Sequence, residues 1–336
     1  MRLLTAGESH GRELVAIVDG VPAALALSPG DIDPDLRRRQ LGYGRGARQR
    51  IERDAVSIVG GVRQGRTTGA PVALVIPNRD AVNWERVMSV EPVPDPPPAV
   101  TRLRPGHADL AGALKFAHED VRDVIERSSA RETAARVAAG AVAKVVLRRV
   151  GIEVRSETRA IVALRVSGLV AGLGSSAQWD RRLDGRIAQA LMSIQSAKGV
   201  QFADAFVAAR EHGSAVHDPI TVERGRFMRT RNRAGGLEGG MTNGEDVLVD
   251  VAFKPISTLM KPLPSADLRT GAPSPAHVER SDVCVVPAAG VVAEAMLAFV
   301  LADALLEKFG ADNADDLAAA VDRYRARLAP IDQRGS

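Results

Sequence analysis

The 336-residue sequence is poor in the residues that mark several specialised classes. Cysteine occurs once, at Cys284, so no intrachain disulfide can form, and a reducing, cytoplasmic setting is expected. Aromatic residues make up only 3%, which leaves few stacking platforms for single-stranded nucleic acid. No basic stretch followed by an apolar run opens the chain, so no signal peptide is expected. The most apolar run, "VVAEAMLAFVLADALL" from Val291, carries Glu294 and Asp303 and reads as a core helix, not a membrane span. No two histidines have a metal-ligand spacing, so no metal is expected. Lysine is scarce too. Only Lys115, Lys144, Lys198, Lys254, Lys261 and Lys308 contribute to the 45 basic residues.

What remains is 45% hydrophobic and 26% charged with a net charge of +4, a soluble globular composition. Arginine carries the positive charge. A GC-rich genome is one cause. Recognition of phosphate and carboxylate is the other, because the guanidinium fork grips both bidentately.

Valine- and isoleucine-rich runs predict strands at Glu13–Val21, Ala55–Val62, Pro71–Ile76, Ala160–Val166, Val247–Phe253 and Val283–Val286. Alternation and turn signals favour antiparallel pairing, and Asn243-Gly244 marks a turn before Val247–Phe253. Helical spacing runs from Asp109 through Leu110, Ala113, Leu114, Ala117, Val121, Val124 and Ile125. The stretch Ser129–Gly151 is alanine-rich and apolar on nearly every face, so it must lie between layers. Its polar residues Arg136, Lys144 and Arg148 line up as a narrow stripe for solvent or a partner. Further helices are expected over Gly185–Gly199 and Val291–Phe309. Strands in runs with long buried helices indicate an α+β sandwich.

Several stretches carry chemistry. "TAGESHG" (Thr5–Gly11) sets Ser9 and His10 between glycines that permit a tight bend. "RPGHAD" (Arg104–Asp109) places His107 on a proline–glycine turn. An imidazole on such a loop is a candidate acid or base. "ERSSARE" has Ser129 three residues before Glu132, a capping-box spacing, flanked by Arg127 and Arg131. A helix start with free N–H groups and two guanidinium groups makes an anion site. In "RAGGLEGGMTNG" (Arg233–Gly244) paired glycines would let a flat ligand approach the backbone, but the order does not match a dinucleotide fingerprint. "KPISTLMKP" offers Lys254, Ser257 and Thr258 to a phosphate. The stretch Leu36–Arg50 brings Arg37, Arg38, Arg39, Arg45, Arg48 and Arg50 onto a glycine-rich segment that could close over a polyanion. On charge alone that polyanion could also be a nucleic acid.

Taken together, "GESHG", "GYGRGAR", "TTGAPVAL", "RPGHADL", "ERSSARETAARVAAGAVAK", "AKGVQF", "NRAGGLEGGMTNG", "FKPISTL" and "RSDVCVVPAAGVVAEAM" resemble the chorismate synthase family, in the family's order. The resemblance implies a β-α-β sandwich, long buried helices between antiparallel sheets, and a homotetramer. It implies a lyase that converts 5-enolpyruvylshikimate 3-phosphate into chorismate and phosphate by 1,4-anti elimination. Reduced FMN is required without net redox change. NADPH would be an indirect reductant and an external reductase the source of reduced flavin. By position, His10 would serve the departing phosphate as acid, His107 would protonate reduced flavin, and Asp282 with Ser9 would relay a proton. FMN would be held by Arg127, Ser128, Ser129, Gln195, Ser196, Gly239, Lys254, Pro255, Ile256, Ser257, Thr258 and Arg280. Arg39 and Arg45 match positions used for NADPH, or they serve substrate. Arg48, Arg104 and Arg131 would bind substrate. Neither nucleic acid nor membrane is an expected partner.

The resemblance also implies one departure. Family members carry an additional helix and loop near residues 155–165, which this chain lacks. A single domain over 1–328 with a shortened middle, followed by a frayed tail at 329–336, is therefore expected.

Overall fold

The computed structural model describes residues 1–42, 51–158, 161–223, 225–278, 284–310 and 312–328. The expected tail at 329–336 lies outside them. Two four-stranded antiparallel sheets carry the architecture. Sheet one comprises β1 (Arg2–Ala6), β2 (Glu13–Asp19), β3 (Ser57–Gly60) and β4 (Val72–Pro77), in the order β1-β2-β4-β3. Sheet two comprises β5 (Glu153–Thr158), β6 (Val162–Ser167), β7 (Ala197–Phe202) and β8 (Val247–Phe253), in the order β5-β6-β8-β7. Period-two alternation decides which face is covered. Leu14, Ala16 and Val18 of β2 are buried with Val72, Leu74 and Ile76 of β4, and Val162, Leu164 and Val166 of β6 are buried with Val247, Val249 and Val251 of β8.

Among the described residues, the longer helices complete the frame: α1 (Pro29–Gln40), α2 (Asp109–Phe116), α3 (Arg122–Ser128), α4 (Thr133–Arg148), α5 (Leu183–Met192), α6 (Val286–Phe309) and α7 (Ala314–Arg327). Helix α4 packs on sheet one, α6 packs on sheet two, and the two helices pack on each other. The fold is therefore the expected α+β sandwich. The alanine content of α4 has a direct cause: it has neighbours on every side. Gly140 sits at its crossing with α6, where an added Cβ would overlap Ala295. By length and composition α6 could cross a membrane, but it is buried in this core.

The three acids of α6 are all paired, Glu307 with Arg181 and Arg186. Asp303 bonds Arg186. Glu294, 1% exposed, accepts from Arg38 Nη1 and Nη2 at 2.8 and 2.7 Å, from Lys144 Nζ at 2.6 Å, and from Ser156 N and Oγ at 2.8 and 2.6 Å. One carboxylate thus ties α1, α4 and β5 to α6. Lys144 consequently belongs to no solvent stripe; it is buried and also bonds Asp35 at 2.8 Å.

Other sequence expectations are corrected. The helical spacing from Asp109 to Ile125 is broken into α2 and α3 by Ala117, which takes a left-handed φ of 57°. After it, Asp120 accepts from the N–H groups of Val100 and Arg122 and pins the connection. The helix expected to Gly199 ends at Met192, and Ala197 opens β7, an edge strand paired with β8. Within Val283–Val286, Cys284 and Val285 are unpaired loop and Val286 begins α6, with Pro287 in the first turn, where a missing N–H costs nothing. The capping box is half formed. Ser129 Oγ accepts from Arg131 N at 3.3 Å, while Glu132 turns away to Thr5, Arg136 and Gln195.

Burial alone would raise the Glu294 carboxyl, but Arg38, Lys144 and Ser156 more than offset it and lower it from 4.5 to about 2. A depressed carboxyl contributes stability that is complete above its unfolded value and is lost as pH falls through that value toward the folded one. Urea unfolding of wild type should therefore weaken between pH 4.5 and about 2 more steeply than that of Glu294→Gln. Glu294→Ala should cost about 3–5 kcal/mol at neutral pH. Equal pH slopes in wild type and Glu294→Gln would contradict this role.

Candidate active site

The loop between β1 and β2 carries the serine–histidine pair. Gly7, at φ 101°, turns it tightly enough that a Cβ would overlap the Glu13 carbonyl. Gly11 needs no such conformation, so only one of the two flanking glycines is required by the bend. Asn78, at the end of β4, donates to the carbonyls of Gly11 (2.7 Å) and Glu8 (3.2 Å) and fixes the loop from below. The loop then lies on the last turn of α3. Ser9 N donates to the Glu126 carbonyl at 3.1 Å, and Ser129 Oγ donates to Ser9 Oγ at 3.0 Å.

His10 is fixed on two sides. Its backbone N–H donates to Glu126 Oε2 at 2.8 Å, and its ring Nδ1 lies 3.0 Å from both carboxylate oxygens. Trp84 stacks on the ring, with centroids 3.9 Å apart and planes at 27°. Arg122 bonds Glu126 at 3.2 Å and lies 5.2 Å from the Trp84 ring centroid. Burial alone would raise the Glu126 carboxyl. Its bonds from His10 and Arg122 outweigh that and hold it below its ordinary range.

His107 has a matching support. Its Nδ1 lies 2.6 Å from Oδ1 of Asp109, which is fully buried. Asp109 also takes both Nε and Nη2 of Arg104 at 3.0 Å, a bidentate pair. Arg104 Nη2 sits 3.0 Å from the same ring nitrogen. An ionised carboxylate can only accept and a guanidinium can only donate, so Nδ1 gives its hydrogen to Asp109 and Arg104 is a neighbour there. Burial would raise Asp109, but His107 and Arg104 hold it well below the carboxylate range.

A line of contacts joins the two histidines. Arg127 donates to the Gly7 and Thr5 carbonyls at 3.1 and 3.0 Å and to Thr5 Oγ1 at 2.8 Å. Thr5 Oγ1 donates to Glu132 at 2.8 Å, and Glu132 accepts from Gln195 Nε2 at 3.0 Å. Ser196, at φ 72°, accepts from Lys254 N at 2.8 Å. Lys254 Nζ bonds Ser257 Oγ at 2.6 Å, and Ser257 Oγ donates to the Gly106 carbonyl at 2.8 Å, next to His107. Thr258 Oγ1 accepts from Arg104 Nη1 at 3.4 Å. Pro255 and Ile256 lie in the same loop after β8, and Ser128 Oγ bonds back to the Val124 carbonyl at 2.6 Å within α3.

One feature of this line points to an anion, and a second to a hydrogen-bond donor on the same ligand. Lys198 and Lys254 have no carboxylate partner among the described residues. Burial and the nearby Lys198 charge both lower the Lys254 amine. Gln195 Oε1 is buried without a hydrogen-bond partner among the described residues. Like charges left facing each other are costly unless a counter-charge joins them, which fits a phosphate-bearing cofactor.

The structure does not bring every expected residue here. Arg39 and Arg131, both buried, turn onto Asp54 at 2.6 and 2.5 Å, and Arg131 Nε donates to Asn78 at 2.8 Å. Gly239 is at the tip of the Leu237–Glu238/Met241–Thr242 hairpin, beyond the start of β8. Lys254 follows the end of β8, so seven residues, roughly 20 Å, intervene along the strand. In the same hairpin a Cβ on Gly236 would press into Asp246 backbone, so packing within the chain explains that glycine. Arg45, Arg48, Arg280 and Asp282 lie outside the described residues. Sequence reasoning gave no site role to Glu126, Asp109, Trp84 or Lys198, and read Glu132 only as a cap. The signal for two of them was present: an acid directly before Arg127 and an acid two residues after His107. A cavity of about 670 Å³ among Ser156, Leu164, Asp204, Arg233 and Leu248 lies over sheet two, away from this line.

Fold and site together define an α+β enzyme with two carboxylate-backed imidazoles and a pair of lysines, Lys198 and Lys254, that have no carboxylate partner among the described residues. The chorismate synthase family model matches residues 1–165 and 159–306. Chorismate synthase of Rubrobacter xylanophilus is 50% identical over 374 aligned positions, covering 96% of each chain, and that of Thermus thermophilus is 49% identical over 383, covering 98% and 99%. A crystal structure of chorismate synthase superposes with a TM-score of 0.77 at 36% identity, covering 97% of this chain and 98% of that one. The chain belongs to the chorismate synthase family.

If the two lysines face an anion, Lys254→Ala should weaken binding of a phosphorylated flavin by roughly 10- to 100-fold, the range of one or two charge-assisted bonds. Flavin fluorescence titration reads this directly. Unchanged affinity would remove Lys254 from flavin binding.

Proposed function

We propose that this chain catalyses the 1,4-anti elimination of phosphate from 5-enolpyruvylshikimate 3-phosphate, giving chorismate, with reduced FMN and without net redox change. Family membership along the whole chain supports the activity. The observation that carries the site assignment is the continuous set of contacts from His10 to His107 through Gln195, Ser196 and Lys254.

Reduced FMN, when bound, would supply an electron-rich ring that stabilises charge as the C–O bond breaks. Arg127, Ser128, Ser129, Gln195, Ser196, Arg280 and the loop from Lys254 to Thr258 hold it. His10 presents a proton to the phosphate as the C–O bond breaks. His107 holds a proton on the cofactor side. Asp282, with Ser9, takes up the proton that leaves the substrate ring. Arg48 and Arg104 bind substrate anions. Arg39 and Arg131 support this wall through Asp54 and Asn78, and Arg45 serves substrate or NADPH. Arginine suits a site that closes around phosphates and carboxylates, because it stays charged when water is excluded.

The same proposal includes a cytoplasmic homotetramer fed with reduced FMN by a separate reductase. It also includes a single domain over residues 1–328 whose middle is shortened. Supporting this, the family model matches in two pieces that overlap at residues 159–165, a stretch that follows β5 in sequence and runs into β6. The relative from Symbiobacterium thermophilum aligns over 395 positions while covering 99% of this chain.

Under anaerobic conditions, protein with photoreduced FMN and enolpyruvylshikimate phosphate should release chorismate and phosphate in equal amounts. Folded, FMN-bound protein that releases neither would contradict the activity. Oxidation of NADPH in proportion to product would make it a net oxidoreductase instead. His107→Ala and Asp282→Ala should each lose most turnover while still binding FMN; normal rates in either would remove that residue from the chemistry.

A further inference from the structure

His10 and Glu126 come from distant parts of the chain, yet the carboxylate meets both the backbone and the ring of the histidine. We propose that Glu126 is the positioning residue for His10, fixing its ring as the Nδ1–H tautomer so that Nε2 is the atom that exchanges a proton with substrate, with Trp84 and Arg122 locking the pair. This inference rests on the reading of His10 as the acid toward phosphate.

Three observations carry it. First, Glu126 is 1% exposed and its carboxylate accepts from Arg122 Nη1 at 3.2 Å while meeting His10. An acceptor-only group facing Nδ1 dictates which ring nitrogen carries hydrogen. Second, the ring cannot swing away easily. Trp84 covers one face, and the His10 N–H shares the same carboxylate. The carboxylate is itself held by Arg122, which lies against Trp84, so acid, indole and guanidinium brace one another. Third, the arrangement recurs at the other histidine. His107 Nδ1 sits on buried Asp109, which is likewise shared with an arginine, Arg104. Two unrelated loops arrive at one device: a carboxylate, one of its arginines, and an imidazole oriented by its δ nitrogen. Outer partners of this kind typically alter function by roughly 10- to 100-fold when removed.

The test combines NMR with kinetics. In ¹⁵N-histidine-labelled wild type with FMN, the two ring nitrogens of neutral His10 should show the Nδ1–H pattern. The Nε2–H pattern in that sample would overturn the proposal whatever any variant does. Glu126→Gln, which keeps the side chain's shape, should mix or reverse the tautomers and lower kcat roughly 10- to 100-fold, with FMN affinity unchanged. A Glu126→Gln enzyme with full kcat, beside an inactive His10→Asn, overturns the positioning role alone. Full activity in His10→Asn overturns the underlying reading of the site, and the positioning role with it.

Discussion

Buried carboxylates shared between an arginine and a second cation or imidazole hold this molecule together at the points that matter. An ionised acid in the interior is costly alone, and each of these acids survives there because its hydrogen bonds and opposite charges outweigh desolvation. Glu294 gathers Arg38 and Lys144, Asp54 gathers Arg39 and Arg131, Asp109 gathers Arg104 and His107, and Glu126 gathers Arg122 and His10. The abundance of arginine over lysine follows from this geometry as well as from ligand recognition. A planar fork can serve a carboxylate on two atoms at once, as Arg104 does for Asp109.

The same interaction spans scales. In the core, Glu294 fixes how α1, α4 and β5 sit on α6, and α6 in turn carries sheet two. At the edge of the sandwich, Asp54 and Arg131 set Asn78, and Asn78 sets the carbonyls of the loop that bears Ser9 and His10. The last turn of α3 then presents Glu126 to that loop. Sheet one therefore supplies one wall of the site through its β1–β2 loop. Sheet two supplies the other through the start of β7 and the end of β8, where Lys198 and Lys254 meet. Both histidines are thus held by contacts to helices and strands, a placement that suits the proton transfers proposed for them.

Much of this was legible in the sequence, and the reasons differ by feature. Val247–Phe253 reads correctly to the residue because a strand buried on one face alternates strictly and Asn243-Gly244 marks its entry. Helix α4 reads as interior because alanine on every face leaves no side for water. Ser9, His10, Arg127 and Ser129 could be named together by motif, and they meet in space. What failed was long-range. Nothing local distinguishes Lys144 in a solvent stripe from Lys144 on Glu294, because its partner is 150 residues away. Likewise Glu126 reads as one acid in a helix until the β1–β2 loop folds onto it. The break at Ala117 carries no glycine or proline; it is imposed by Asp120 fastening the connection.

The central claim is that both walls close on one ligand pair. An anaerobic crystal structure of the chain with FMN and enolpyruvylshikimate phosphate tests it most directly. The account predicts flavin held by Arg127 and the Lys254–Thr258 loop, with His107 at its ring and the substrate phosphate within hydrogen-bond reach of His10. Ligand bound instead in the 670 Å³ cavity over sheet two, with His10 and His107 untouched, would contradict it.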